Sequence, residues 1–153
     1  MPMTPGTYLR KRREATGLDL DQVAITLARL PWAVRATSPY DVLLLKHRLH
    51  VAETGLADLT PEQAQLLRPI FRFDAGVYEQ LFLLQHAGIW THLPEPQVCR
   101  GCACSWHDAC TDGGVACSWT ADPALCSACA RQPASRAEVT DWPDAPHPEG
   151  TPA

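Results

Sequence analysis

Apolar residues in the first 90 positions recur at helical spacing, with no alternating run that would mark a strand and no internal repeat. Leu20, Val23, Ala24, Leu27 and Leu30 fall three or four apart and line one helix face. Punctuation residues divide this region into five helices. Thr4-Pro5 is an N-cap with proline at the first helical position, and Gly17 closes the helix it opens. Asp19 and Gln22 have capping-box spacing and start the second helix. Ser38-Pro39 opens a third over YDVLLLKHRLHVAET, ended by Gly55. Thr60-Pro61-Glu62-Gln63 combines cap, proline and box for a fourth over EQAQLLRPIF, which Pro69 must kink or end. Asp74 caps a fifth over AGVYEQLFLLQHA, with Gly88 behind it.

Past residue 90 the periodicity stops. Residues 91–98, THLPEPQV, have linker composition. Residues 99–130 hold all seven cysteines. Residues 131–153 are proline-rich and too poor in apolar groups to offset ordering entropy, so a disordered tail is expected there. The fold expected is mainly α: a helical domain over 1–90, then a small, irregular, metal-stabilised module.

Charge and composition exclude little in the helical half and more in the rest. The chain is 46% hydrophobic and 20% charged, with net charge −4, so no global basic field invites nucleic acid or anionic membrane. Residues 1–95 balance acid and base, whereas residues 96–153 are acidic. VLLLKHRLHV is broken by Lys46, His47 and Arg48 and falls far short of the roughly 18 apolar residues of a membrane span. MPMTPGTYLRKRREATG lacks the apolar stretch of a secretory signal. The expected compartment is the cytoplasm, where thiols stay reduced, and this argues against disulfides.

Reduced thiols that cluster need a reason. The spacing is C-x2-C-x-C-x5-C-x6-C-x8-C-x2-C. Its outer pairs, Cys99/Cys102 and Cys126/Cys129, are two C-x-x-C turns. Each turn can aim two thiolates at one ion, and together they supply four tetrahedral corners about 2.3 Å from zinc. A segment this short has no adequate core without a metal. The inner residues Cys104, His107, Cys110 and Cys117 suit a second Cys3His site, with Asp108 or water able to replace the histidine. Alternatively the inner thiols share a bridging thiolate with the first metal. One or two zinc ions are expected. An iron–sulfur cluster is the less favoured alternative, since the bacterial ferredoxin spacing is absent. Trp106 and Trp119 are expected to cover the metal core.

PGTYLRKRREATGLDLDQVAITLA resembles the first two helices of Cro/lambda-repressor-like helix-turn-helix domains; HVAETG, LTPEQAQLL and RFDAGVYEQL resemble their later elements. The resemblance spans residues 4–87 and implies a five-helix repressor-like domain that binds double-stranded DNA. Arg10, Lys11, Arg12 and Arg13 would contact phosphates, and Ser38, Tyr40, Lys46 and Arg48 on or near the third helix would face DNA. The chain departs from that family in its long connection LPWAVRATS, its apolar start YDVLLL to the third helix, and Asp41 where phosphate would lie. CRGCACSWHDAC, CSW and LCSAC resemble a cysteine module of small uncharacterised bacterial and phage proteins, which implies metal binding without an established activity.

Enzyme chemistry finds little support. An all-cysteine zinc shell is closed, whereas catalytic zinc keeps an open position. The signatures H-x-E…P-C-x-x-C, H-E-x-x-H, G-x-x-x-x-G-K-[ST] and G-x-S-x-G are missing. No small-molecule substrate is evident. Two expectations follow: a small DNA-associated transcriptional regulator of bacterial or phage type with a structural zinc module, or a zinc-stabilised adaptor that docks a protein partner and has lost DNA binding.

Overall fold

The computed structural model describes residues 3–30, 39–87 and 92–131. The connection after Leu30, with Ser38, lies outside the described residues, as do Gly88 and the tail from residue 132. Within them the chain is mainly helical, with six helices and one pair of two-residue strands.

Each helix of the first half starts where local chemistry dictates. Thr4 accepts a hydrogen bond from the Thr7 amide and caps α1 (Pro5–Ala15). α2 (Leu20–Arg29) carries both arms of its capping box, between Asp19 and Gln22. α3 spans Pro39–Glu53, and Gly55 follows it with φ of 74°. That left-handed backbone is one glycine adopts without steric cost. A second complete box, between Thr60 and Gln63, starts α4 (Pro61–Gln65). α4 is shorter than expected. From Leu66 the chain continues in tight i→i−3 turns, such as Leu67 N to the Ala64 carbonyl at 2.9 Å. Pro69 has no amide hydrogen and disfavours helical backbone at Arg68, so the helix cannot run through. Asp74 Oδ1 accepts from the Gly76 and Val77 amides and caps α5 (Ala75–Ala87).

These helices close over one core. α3 packs on α1 and α2, and α5 packs on α1 and α4. The apolar stripe of α2 turns inward through Val23, Ala24 and Leu27, which share one buried cluster with Tyr8 and Leu9 of α1 and with Phe73, Tyr78 and Leu81. Burial raises the phenol pKa values of Tyr8 and Tyr78. Each phenol stays protonated and bonded to backbone, Tyr78 to the Leu59 carbonyl at 2.8 Å and Tyr8 to the Asp74 amide at 2.9 Å. α1 also reaches α3 through a two-pronged ion pair: Arg13 Nε and Nη2 each lie 2.7 Å from a Glu53 carboxylate oxygen, both side chains buried. The Glu53 hydrogen bond raises the Arg13 pKa.

Gly6 of α1 lies against the backbone of α3 at Ala52 and Glu53. A methyl group there would run into the backbone carbonyl of Ala52. Gly6→Ala gains about 1 kcal/mol of helix propensity, but overpacking against backbone costs about 1–3 kcal/mol. The net expectation is a lower thermal unfolding midpoint. A midpoint at or above wild type would show that the two helices are free to separate.

The cysteine segment has its own short elements. β1 (Thr111–Asp112) and β2 (Val115–Ala116) pair antiparallel across Gly113-Gly114, whose φ angles are 59° and 83°. Two consecutive positive φ values are the signature of a tight hairpin turn that glycine makes without strain. A bridge pairs Trp119 with Cys126, and α6 (Ser127–Arg131) completes the segment.

Candidate metal centre

The first C-x-x-C turn is built by backbone bonds. The Cys99 amide donates to the Cys104 carbonyl at 2.9 Å, and the Ala103 amide donates to the Cys99 carbonyl at 2.8 Å. Ala103 adopts φ of 58°, a left-handed conformation that costs an L-residue about 1–2 kcal/mol. That turn folds Cys104 back toward Cys99. Its methyl group is fully buried in the helical core.

The second C-x-x-C arrives from the other end of the segment. The Arg100 amide donates to the Ala124 carbonyl at 2.8 Å, and the Cys126 amide points at Cys99 Sγ at 3.4 Å. The Sγ atoms of Cys99, Cys102, Cys126 and Cys129 all lie within 4.8 Å of one another. These four cysteines are positioned to bind a metal ion, and the all-sulfur donor set is compatible with zinc. The Cys102–Cys126 separation of 3.8 Å matches the sulfur–sulfur edge of a tetrahedron with 2.3 Å bonds, about 3.8 Å.

Electrostatics also favour a cation. Burial raises the Cys110 and Cys129 pKa values, while hydrogen bonds from Cys102 and then Cys104 hold the Cys99 thiol far down. Hydrogen bonds with Cys102 and then Cys99 push the Cys104 thiol up. Thiols so crowded cannot ionise together without a counter-charge, because each thiolate disfavours the next.

Gly101 makes the approach possible. A Cβ at this position would lie 2.7 Å from Cys129 Sγ and 3.6 Å from Cys99 Sγ. The need is for space rather than for unusual backbone. Gly101→Ala should push Cys129 away, weaken metal retention in a chelator competition by one to two orders of magnitude, and cost about 1–3 kcal/mol of stability. Unchanged retention would show that Cys129 tolerates displacement. The only sequence signal for this role was glycine inside CRGC.

The inner residues are distributed otherwise than a Cys3His site requires. Cys104 and Cys110 gather with Cys102 and Cys126, again all within 4.8 Å. Cys117 Sγ lies 3.6 Å from Cys104 Sγ but belongs to neither group of four. His107 is exposed and outside both groups, so it does not complete the expected site. Asp108 is not a ligand in this arrangement either: its carboxylate is buried against Arg12 Nη2 at 2.6 Å. Trp119 packs on the thiol cluster as expected, whereas Trp106 stays 75% exposed and meets Trp119 edge-on at 6.5 Å.

No family model, curated protein or solved structure matches the chain.

The cysteine segment and the helices are fastened to each other. Arg12 reaches Asp108, the Cys102 carbonyl at 3.5 Å and the Arg72 carbonyl at 3.3 Å. Lys11 Nζ donates to the Gly101 carbonyl at 3.2 Å, and Ser105 Oγ donates to Asp74 Oδ2 at 2.9 Å. Asp74 thus caps α5 with one oxygen and holds the cysteine segment with the other.

The residues expected to meet DNA fare unevenly. Arg12 and Arg13 are buried in internal ion pairs, which takes them out of reach of a phosphate backbone. Lys46 pairs with Asp21 at 2.7 Å, while Arg10, Arg48 and Tyr40 are exposed. Among the described residues no helix is long and apolar enough to cross a membrane.

Proposed function

We propose that this chain is a zinc-stabilised adaptor that docks a protein partner through the outer face of α3. The observation that carries this reading is the two-sided apolar character of α3. Leu49 and Ala52 are buried and Val42 and Leu45 pack against the core, yet Tyr40, Leu43 and Leu44 are 81%, 60% and 52% exposed. A helix that reads base edges needs polar, hydrogen-bonding side chains on its outer face. This one offers an aromatic ring and two leucines, the chemistry enriched at the centre of protein interfaces. The internal use of Arg12 and Arg13 and the acidity of residues 96–153 favour the same reading over a repressor-like DNA regulator.

Zinc is the metal this reading assigns to Cys99, Cys102, Cys126 and Cys129. Four sulfurs make a closed shell with no position for substrate, so the ion's role is structural.

Fluorescence anisotropy with duplex DNA at about 50 mM salt separates the adaptor from the regulator. The adaptor reading expects no salt-sensitive binding. A log–log salt slope equivalent to several phosphate contacts would overturn it. In the positive arm, Leu43→Asp with Leu44→Asp should leave metal content and the unfolding midpoint unchanged and abolish capture of the partner seen with wild type. Undiminished capture would move the docking face elsewhere.

A further inference from the structure

Two independent tetrahedral sites need eight donors, and the described residues of this segment do not assemble eight. It assembles six thiols as two overlapping sets of four, with Cys102 and Cys126 common to both. We infer that the segment holds a two-ion centre in which the Cys102 and Cys126 sulfurs each bridge both ions. Cys99 and Cys129 complete the shell of one ion, and Cys104 and Cys110 complete the shell of the other. This rests on the reading that the segment binds zinc and deepens it.

Three observations support the shared edge. The Cys102 and Cys126 sulfurs are 3.8 Å apart, and Cys110 Sγ is 3.7 Å from Cys126 Sγ. Both separations match the tetrahedral edge of about 3.8 Å set by zinc–sulfur bonds. Cys126, a member of both sets, is fully buried, and the backbone places it between the two: its amide faces Cys99 Sγ, and its own sulfur faces Cys102 and Cys110. Finally, His107 is turned out to solvent, which removes the eighth donor that separate sites would require.

Charge agrees with two ions. One dication on four thiolates carries −2, and adding a second dication with two more thiolates leaves −2. The second ion therefore enters at no cost in net charge, and it gives the Cys104 and Cys110 thiols a partner. Lys11 and Arg12, which donate to the carbonyls of Gly101 and Cys102, place two cations beside the centre. Cys117, next to Cys104, is the seventh thiol and is not needed.

The test uses the full chain expressed with added zinc and purified under reducing conditions. Native mass spectrometry should find two zinc ions per chain, one in Cys104→Ser/Cys110→Ser, and two in Cys117→Ser. Cadmium-113 substitution should give two resonances, each split by coupling to the other ion through the shared sulfurs. That splitting does not depend on any variant folding. One ion in wild type would overturn the two-ion centre and leave the zinc reading standing. Two ions with unsplit resonances, or loss of an ion in Cys117→Ser, would show separate sites and equally overturn it. No bound metal would refute the zinc reading itself.

Discussion

Replacing Cys126 by serine is expected to abolish metal retention and lower the stability of the whole chain, helices included. A serine hydroxyl stays protonated at neutral pH and is a poor zinc ligand, and Cys126 belongs to both sets of converging thiols. Structural zinc in small modules contributes on the order of 10 kcal/mol of folding free energy, because the site does not exist in the unfolded chain. The segment from Cys99 to Arg131 has few apolar contacts besides its sulfurs, Trp119, Leu125 and Ala128, so it should not hold without metal. Its loss reaches the helices through Ala103, whose methyl sits in the helical core, and through Arg12 and Asp74, which lose Asp108 and Ser105. If these contacts are worth about 2–3 kcal/mol, the thermal midpoint of the helices falls by roughly 10–20 °C. Chelator-treated wild type should match the variant, and added zinc should rescue only wild type. A variant with the wild-type midpoint and zinc response would show that the site does not need this sulfur.

The second large effect is expected at the contact between Arg12 and Asp108. Asp108→Ala leaves the Arg12 guanidinium buried with only the carbonyls of Arg72 and Cys102 to face it. Removing one partner of a buried ion pair costs about 3–5 kcal/mol, mostly for the charge left behind. Replacing both, Arg12→Met with Asp108→Leu, removes that charge and should recover most of the loss. Urea unfolding of Arg12→Met, Asp108→Leu and their double measures the coupling. Equal losses for Asp108→Ala and the double would show that the pair contributes no more than its packing. Asp108 Oδ1 lies 3.5 Å from Arg72 Nη2 and has no hydrogen bond among the described residues, and the Arg72 side chain is mostly exposed, so Arg72→Ala should cost far less.

The sequence alone determined the features whose causes are local. Thr4, Asp19, Thr60 and Asp74 each cap a helix through a side chain that reaches three or fewer residues along the chain. Residue spacing therefore specifies them completely. The outer cysteine pairs are likewise visible, because a two-residue gap sets how two thiols of one turn converge.

Only the tertiary structure decided what the charges and the inner thiols do. Arg10, Lys11, Arg12 and Arg13 read alike along the chain. The rotation of α1 against its neighbours buries Arg12 and Arg13 and leaves Arg10 in solvent. Asp108 lies 96 residues from its partner, a separation no periodicity encodes. Likewise, nothing in the spacing of Cys104, Cys110 and Cys117 says which two join Cys102 and Cys126. The left-handed turn at Ala103 aims Cys104 back across the loop, and the folding of the rest of the segment brings Cys110 rather than Cys117 into that group. Contacts closed by short chain segments are written in residue order. Contacts closed by packing depend on which faces the whole core turns inward.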